Sequence, residues 1–366
     1  MQNAATEKQI PDHPTESIPV NSGVVTNNGF IVSKLYDWIW FVGAPTIGLV
    51  VAAILLFSGV ADIEIDLGND VPYSLFELIM GTFLTSHLFI VFFRSHANAN
   101  IFAKHPVRFI AVPILLMLYL NFSINGLLVI AIIAIFWDVH HSAAQTFGLG
   151  RIYDMRMGNG QQVGRRLDYL LNLFIWVGPI LAGASLTSHV HTFTDTIQPS
   201  GLVDFSIAGK IFNHRSELTK LVFVIGIPFI LYYLYEYWRL HKQGYVVSIN
   251  KVILLTTTAI ISIFSWGFNS FGEAYFVMNF FHSWQYFAIV WAFEKKNITK
   301  VLLLSKLRNG RYVSLFLFVF IALGYGLWAT ISEDSGGKFS HSLMFTVTIL
   351  HFWYDGFIWS VKRKQV

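Results

Sequence analysis

Ten runs of mostly apolar residues divide this chain, near 36–58, 71–94, 107–122, 125–149, 167–188, 217–240, 249–268, 271–293, 312–332 and 341–361. At 1.5 Å per residue, runs of this length approach or exceed the roughly 30 Å hydrocarbon thickness of a bilayer. Hydrocarbon offers no water to backbone N–H and C=O groups, so segments that cross it as single runs are helices. The expected fold is all-α: a polytopic integral membrane helix bundle of about ten transmembrane helices within residues 35–366. Composition agrees, because 13% of the residues are charged, about half the share a soluble domain carries. Residues 1–34 are polar and interrupted by Pro11, Pro14, Pro19, Gly23 and Gly29. They lack the apolar core of a secretory signal and are expected to form a disordered cytoplasmic tail.

The connections supply an orientation. Positive charge gathers in alternate ones: Arg94, Lys104 and Arg108; Arg151, Arg156, Arg165 and Arg166; Arg239, Lys242 and Lys251; then Lys295 through Arg311; and Lys362–Lys364 near the end. The intervening connections are poor in Lys and Arg, the first holding Asp62, Glu64, Asp66 and Asp70. Positive loops stay inside, so both termini are expected in the cytoplasm, with an even number of spans. The fitting location is a bacterial inner (cytoplasmic) membrane. Two hairpins are short, at Asn121–Asn125 and near Asn269. Residues 189–216 form the long outer connection, and 297–308 are expected as a basic amphipathic helix on the inner surface. The net charge of +4 is accounted for by loop bias rather than nucleic-acid affinity.

Ionisable groups within such runs are expensive and point to function. His87, His140, His141, His282 and His351 lie in the second, fourth, eighth and tenth runs. All four run from outside to inside in this topology, and the histidines fall about 15–24 Å below the outer ends. One site in the middle-to-inner half of the membrane would gather them. Asp138, His141 and Gln145 share a helix face, with His140 turned about 100° away. His282 shares a face with Gln285 and Tyr286, and His351 with Asp355. Asp138 and Asp355 are placed to orient histidine ligands or to bind directly. His96 stands beside Arg94 and Ser95, as a site residue or an interfacial one. Gly43 and Pro45 mark a kink. The segment from Gln145 to Asp154, with Gly148, Gly150, Arg151 and Tyr153, either lines a cytoplasmic mouth or ends its helix.

There are no cysteines, which excludes thiolate zinc sites, iron–sulfur clusters and cysteine-attached haem. Nitrogen and oxygen donors suit iron, copper, zinc or manganese. Non-haem iron is favoured, because oxygen and apolar substrates both partition into membranes. The structural alternative is that each histidine is a helix–helix hydrogen-bonding residue, but five at matched depth argue for a shared ligand set.

The His-bearing helices resemble the Brp/Blh family of membrane carotenoid-cleaving dioxygenases, at His282–Ser283 followed by Phe287 and Trp291, and at His351 with Asp355. The resemblance implies non-haem iron held by four histidines and cleavage of β-carotene to retinal. The chain departs from the family where Tyr286 replaces the second of two histidines four residues apart, in its adjacent His140–His141 pair, and in its number of spans. The expected activity is a metal-dependent membrane oxygenase acting on a hydrophobic small molecule such as a carotenoid or lipid, with Tyr286, Gln285 and Gln145 positioning substrate or oxygen. The alternatives are a haem- or copper-binding electron-transfer protein and a proton- or metal-coupled transporter.

Overall fold

The computed structural model describes residues 29–68, 72–197 and 214–359. Within them, each of the ten expected runs contains a helix. The first is broken: α1 (Lys34–Asp37) passes into a π-helical turn (Trp38–Val42), and beyond Gly43 the chain restarts 58° away as α2 (Ala44–Phe57). A small antiparallel hairpin, β1 (Glu64–Ile65) with β2 (Tyr73–Ser74), leads into α3 (Leu75–Ser95). Then follow α4 (Ala99–Phe102), α5 (Pro106–Phe122), α6 (Ile124–Arg156), α7 (Arg165–Ala182) and α8 (Leu186–Ile197). The rest is α9 (Arg215–Lys242), α10 (Ile249–Phe268), α11 (Phe271–Val301), α12 (Gly310–Ser335) and α13 (Lys338–Ile358).

Five of these helices, α3, α6, α9, α10 and α12, are long and apolar enough to cross a membrane, and up to seven spans result if the bent pairs α1–α2 and α7–α8 each count as one. The chain is an all-helical integral membrane protein. Helices α11 and α13, with 31 and 21 residues, fall short in apolarity rather than length. The reason lies in their surroundings. Helix α11 packs against α2, α3, α10 and α12, so most of it meets protein instead of lipid and tolerates polar residues that a lipid-facing helix would not.

Local chemistry sets the helix ends. Ser74 with Glu77 and Ser270 with Glu273 form capping boxes that start α3 and α11, each satisfying two orphan N–H groups. The break in the first run is equally specific. Pro45 has no N–H for the Phe41 carbonyl four residues back, and Gly43 donates to Trp38 O instead of Ile39 O. Helix α11 supplies the missing donors: Gln285 Nε2 to Phe41 O at 2.9 Å and Trp284 Nε1 to Ile39 O at 3.2 Å. The kink expected from Gly43 and Pro45 is thus fastened to the residues that follow His282 and Ser283.

Two expectations are corrected, and the expected tail lies mostly outside the described residues, which begin at residue 29. In the described part of it Ile31 is buried, and the Ile31, Val32 and Ser33 amides donate to the Asp37 carboxylate. Residues 297–301 continue α11 and 302–309 form turns, so no separate surface helix occupies 297–308. Arg94, Arg151 and Lys251 are not free loop charges. All three are buried in ion pairs, because a cation that far into a bundle needs a partner.

Helices α3 and α12 approach closely through small residues. A Cβ built on Gly326 would sit 2.1 Å from Thr82 O, and one on Gly81 2.7 Å from Thr330 Cγ2. Thr85 Oγ1 donates to Gly326 O at 3.1 Å. Such contact replaces the hydrophobic force that lipid cannot provide between helices. Gly326→Leu is expected to push α12 away and cost about 1–3 kcal/mol or more, seen as a lower Tm in detergent. An unchanged Tm would mean that this seam is not tight.

Candidate metal centre

Four helices each bring one histidine to the same interior point: His87 from α3, His141 from α6, His282 from α11 and His351 from α13. All four are buried. Their rings form a closed circuit, with centroids 5.1 Å apart for His87–His282, 5.0 Å for His282–His141, 4.7 Å for His141–His351 and 5.0 Å for His351–His87. Neighbouring rings are steeply inclined, by 65–89°.

These spacings can be compared with what one ion would impose. With metal–nitrogen bonds of about 2.1 Å and centroids about 1.1 Å farther out, neighbouring centroids would be roughly 4.5 Å apart at a right angle and 5.2 Å at a tetrahedral angle. The four neighbouring separations lie in that interval, while the ligand atoms mutually within 4.8 Å form two triads and not one set of four histidines. His141 Nε2 and His351 Nε2 face each other at 3.0 Å, and two ligand nitrogens on a shared ion would be roughly 3.0–3.4 Å apart.

The hydrogen bonding also fits a metal. His87 Nε2 and both ring nitrogens of His282 are buried without a partner, a costly state for polar atoms unless something else binds them. His87 Nδ1 meets the Leu84 carbonyl and lies 2.9 Å from Ser283 Oγ. A carbonyl only accepts, so Nδ1 carries the hydrogen and Nε2 holds the lone pair a metal needs. Two overlapping triads have ligand atoms within 4.8 Å of one another: His87, His282 and His351, and His141, His351 and Asp355. His351 belongs to both.

Asp355 lies beside the circuit rather than within it. Its Oδ2 is 3.8 Å from His141 Nε2 and 3.9 Å from His351 Nε2. Its Oδ1 accepts from Tyr286 Oη at 2.7 Å and Trp359 Nε1 at 2.9 Å. The Tyr286 ring packs 4.6 Å from that of His351. Trp359 lies under the Arg94 guanidinium, 3.6 Å from its ring centroid, and Arg94 pairs with Glu294 at 2.6 Å.

On this side lies a cavity of about 260 Å³ between α6 and α13. His141, Tyr286 and Asp355 line it, as do Trp137, Phe352 and Trp353. It reaches the bundle surface at His140 and Gly356, both exposed lining residues. A Cβ on Gly148 or Gly356 would meet nothing within 4 Å, so both glycines leave the passage open.

The other expected site residues are in neither triad, and of these His140 and Gln145 line the cavity. His140 is exposed, with Nε2 2.8 Å from Tyr169 Oη, because its neighbour His141 takes the inward direction on α6. Asp138 accepts from Asn279 Nδ2 at 3.2 Å, one turn before His141 and His282 and in neither triad. Gln145 donates to His282 O and Gln285 Oε1, and Gln285 to Phe41 O. The two amides tie α6, α11 and the broken helix together rather than touching the imidazoles. His96 joins α3 to α5 through Phe109 O. Sequence reasoning gave no role to Ser283 or Trp359, whose contacts are long-range. It read Arg94 by its distance from an apolar run, which carries no information about Glu294. Compared with family models, curated proteins and solved structures, the chain matches none.

Proposed function

We propose that this chain is an integral membrane, metal-dependent oxygenase that holds one non-haem iron ion among His87, His141, His282 and His351. In this reading it crosses the membrane ten times, with both termini cytoplasmic, and α11 and α13 cross as protein-surrounded spans. The closed circuit of four buried imidazoles is the observation that carries the proposal. Iron bound there would supply activation of molecular oxygen. The residues around it orient ligands, admit an apolar substrate and limit water. Ser283 and the Leu84 carbonyl hold His87. Asp355, fixed by Tyr286 and Trp359, turns one oxygen toward His141 and His351. The cavity between α6 and α13 admits the substrate from the lipid side, and its aromatic walls suit the end of an apolar, polyene-like chain. Cleaving one carbon–carbon double bond with one O₂ gives two carbonyls, so the reaction balances without an external reductant.

The haem alternative is less favoured, because other imidazoles stand 4.7–5.1 Å away on both sides of each ring, where a macrocycle would have to pass. Metal analysis and a visible spectrum of detergent-purified protein test the proposal. Stoichiometric iron without a haem band, with oxygen-dependent loss of a supplied polyene, is the expected result. A haem band would move the reading to electron transfer, and no metal in folded, metal-replete protein would end it.

The cavity offers a separate check. Gly148→Phe is expected to lower turnover of the supplied polyene by tenfold or more while iron content stays at the wild-type level. Unimpaired turnover would mean that the substrate takes another route.

A further inference from the structure

The turn between α11 and α12 departs from ordinary backbone chemistry. Leu303 has φ +59°, the one positive φ at a non-glycine residue among the described residues. It closes α11 in a Schellman motif: the Leu303 N–H donates to Lys300 O and the Leu304 N–H to Thr299 O, both at 3.0 Å. That motif usually places glycine at the left-handed position, where a Cβ is strained. Here a leucine bears the strain and gains no packing for it, because its side chain is 87% exposed. Val301, Leu307 and Tyr312, close to it in the chain, are exposed as well.

The same stretch is strongly basic. Lys295, Lys296, Lys300, Lys306, Arg308 and Arg311 lie in it, and no Asp or Glu occurs between 295 and 311. None of these cations is in an ion pair among the described residues. Lys295, late in α11, and Arg311, at the start of α12, are close enough to repel each other. Glu294 gives no relief, since it is buried and paired with Arg94.

We propose that this turn docks on anionic phospholipid, with Lys300, Lys306 and Arg308 on head-group phosphates and Leu303 and Leu307 in the acyl layer beneath. The turn directly precedes α12, a helix long and apolar enough to cross the membrane, which puts it at the level of the head groups. The two halves of the surface select the same partner. Water would leave Leu303 both strained and wet, whereas hydrocarbon favours its outward direction. A zwitterionic surface would leave the cations unbalanced, whereas an anionic one attracts each of them. Basic and apolar residues usually combine in this way on a surface helix; here a turn does so.

The chain has no cysteine, so Ser305→Cys places a single fluorophore on the turn of the full-length protein. The labelled protein is reconstituted in vesicles of equal parts phosphatidylglycerol and phosphatidylcholine, with an acyl-chain quencher carried on one lipid or the other. Quenching from phosphatidylglycerol is expected to exceed that from phosphatidylcholine roughly threefold or more, since one cation near an anionic surface corresponds to about fivefold. Lys300→Gln with Lys306→Gln and Arg308→Gln, all at exposed positions, is expected to bring the two lipids close to parity. Leu303→Gly is expected to weaken quenching from both lipids while Tm in detergent stays at or above the wild-type value, because glycine relieves the left-handed strain. Equal quenching by the two lipids, a preference that survives the triple variant, or wild-type quenching in Leu303→Gly would each overturn the proposal. Iron is not read at any step, so the outcome is independent of the metal centre.

Discussion

His351→Ala is expected to reduce bound metal at least a hundredfold in affinity, leaving substoichiometric iron after purification. His351 is the position common to both ligand triads, so its loss removes a donor from any arrangement of the ion among these side chains. Even residues that only orient a ligand cost ten- to a hundredfold in affinity when removed. The residue is fully buried, and alanine leaves a hole, so His351→Gln, closer in volume, is the companion. Both variants should elute as the wild type does on size exclusion and both should lose metal. His140→Ala, one residue from a proposed ligand but exposed and paired with Tyr169, should keep it. Full metal occupancy in His351→Gln and His351→Ala would refute a shared centre.

The contrast between His140 and His141 shows what sequence could and could not give. Depth in the membrane follows from counting residues along a helix, so His87, His141, His282 and His351 were legible as one layer. Direction around the helix is legible only in relative terms: the 100° between two neighbours says that one of them points away, not which. The partner helices decide that, and they are assembled by contacts more than a hundred residues apart, such as Gln145 with His282 O.

The same limit explains the charges. Arg94, Arg151 and Lys251 occur where apolar runs end, a position shared by loop residues and by buried residues one turn farther in. Their partners Glu294, Asp154 and Asp168 lie 200, 3 and 83 positions away. Only the Arg151–Asp154 pair, at i and i+3, was readable as a local contact. Helices α11 and α13 fall below the apolarity of the five candidate spans for the complementary reason: a helix packed against several neighbours carries polar residues that a lipid-facing helix would not.

Lys251→Met should be among the most destabilising single changes outside the metal centre. Lys251 Nζ joins Asp154 of α6 at 2.7 Å, Asp168 of α7 at 2.8 Å and Tyr237 of α9 at 2.9 Å. Its removal leaves Arg151 alone with two carboxylates that are each 1% exposed. Breaking a buried pair from one side costs about 3–5 kcal/mol, mostly the burden of the charge left behind. The expected readout is a marked fall in Tm in detergent. The charge-balanced double variant, Lys251→Met with Asp168→Asn, removes one charge of each sign and should recover a large part of that loss, although each change alone destabilises. A wild-type Tm for the single variant, or a double variant as unstable as the sum of the two singles, would mean that the network is solvated and carries little. Iron content should stay at the wild-type level in folded protein, because no member of the network touches the four imidazoles. That separates the scaffold role of these charges from the chemistry proposed for the histidines.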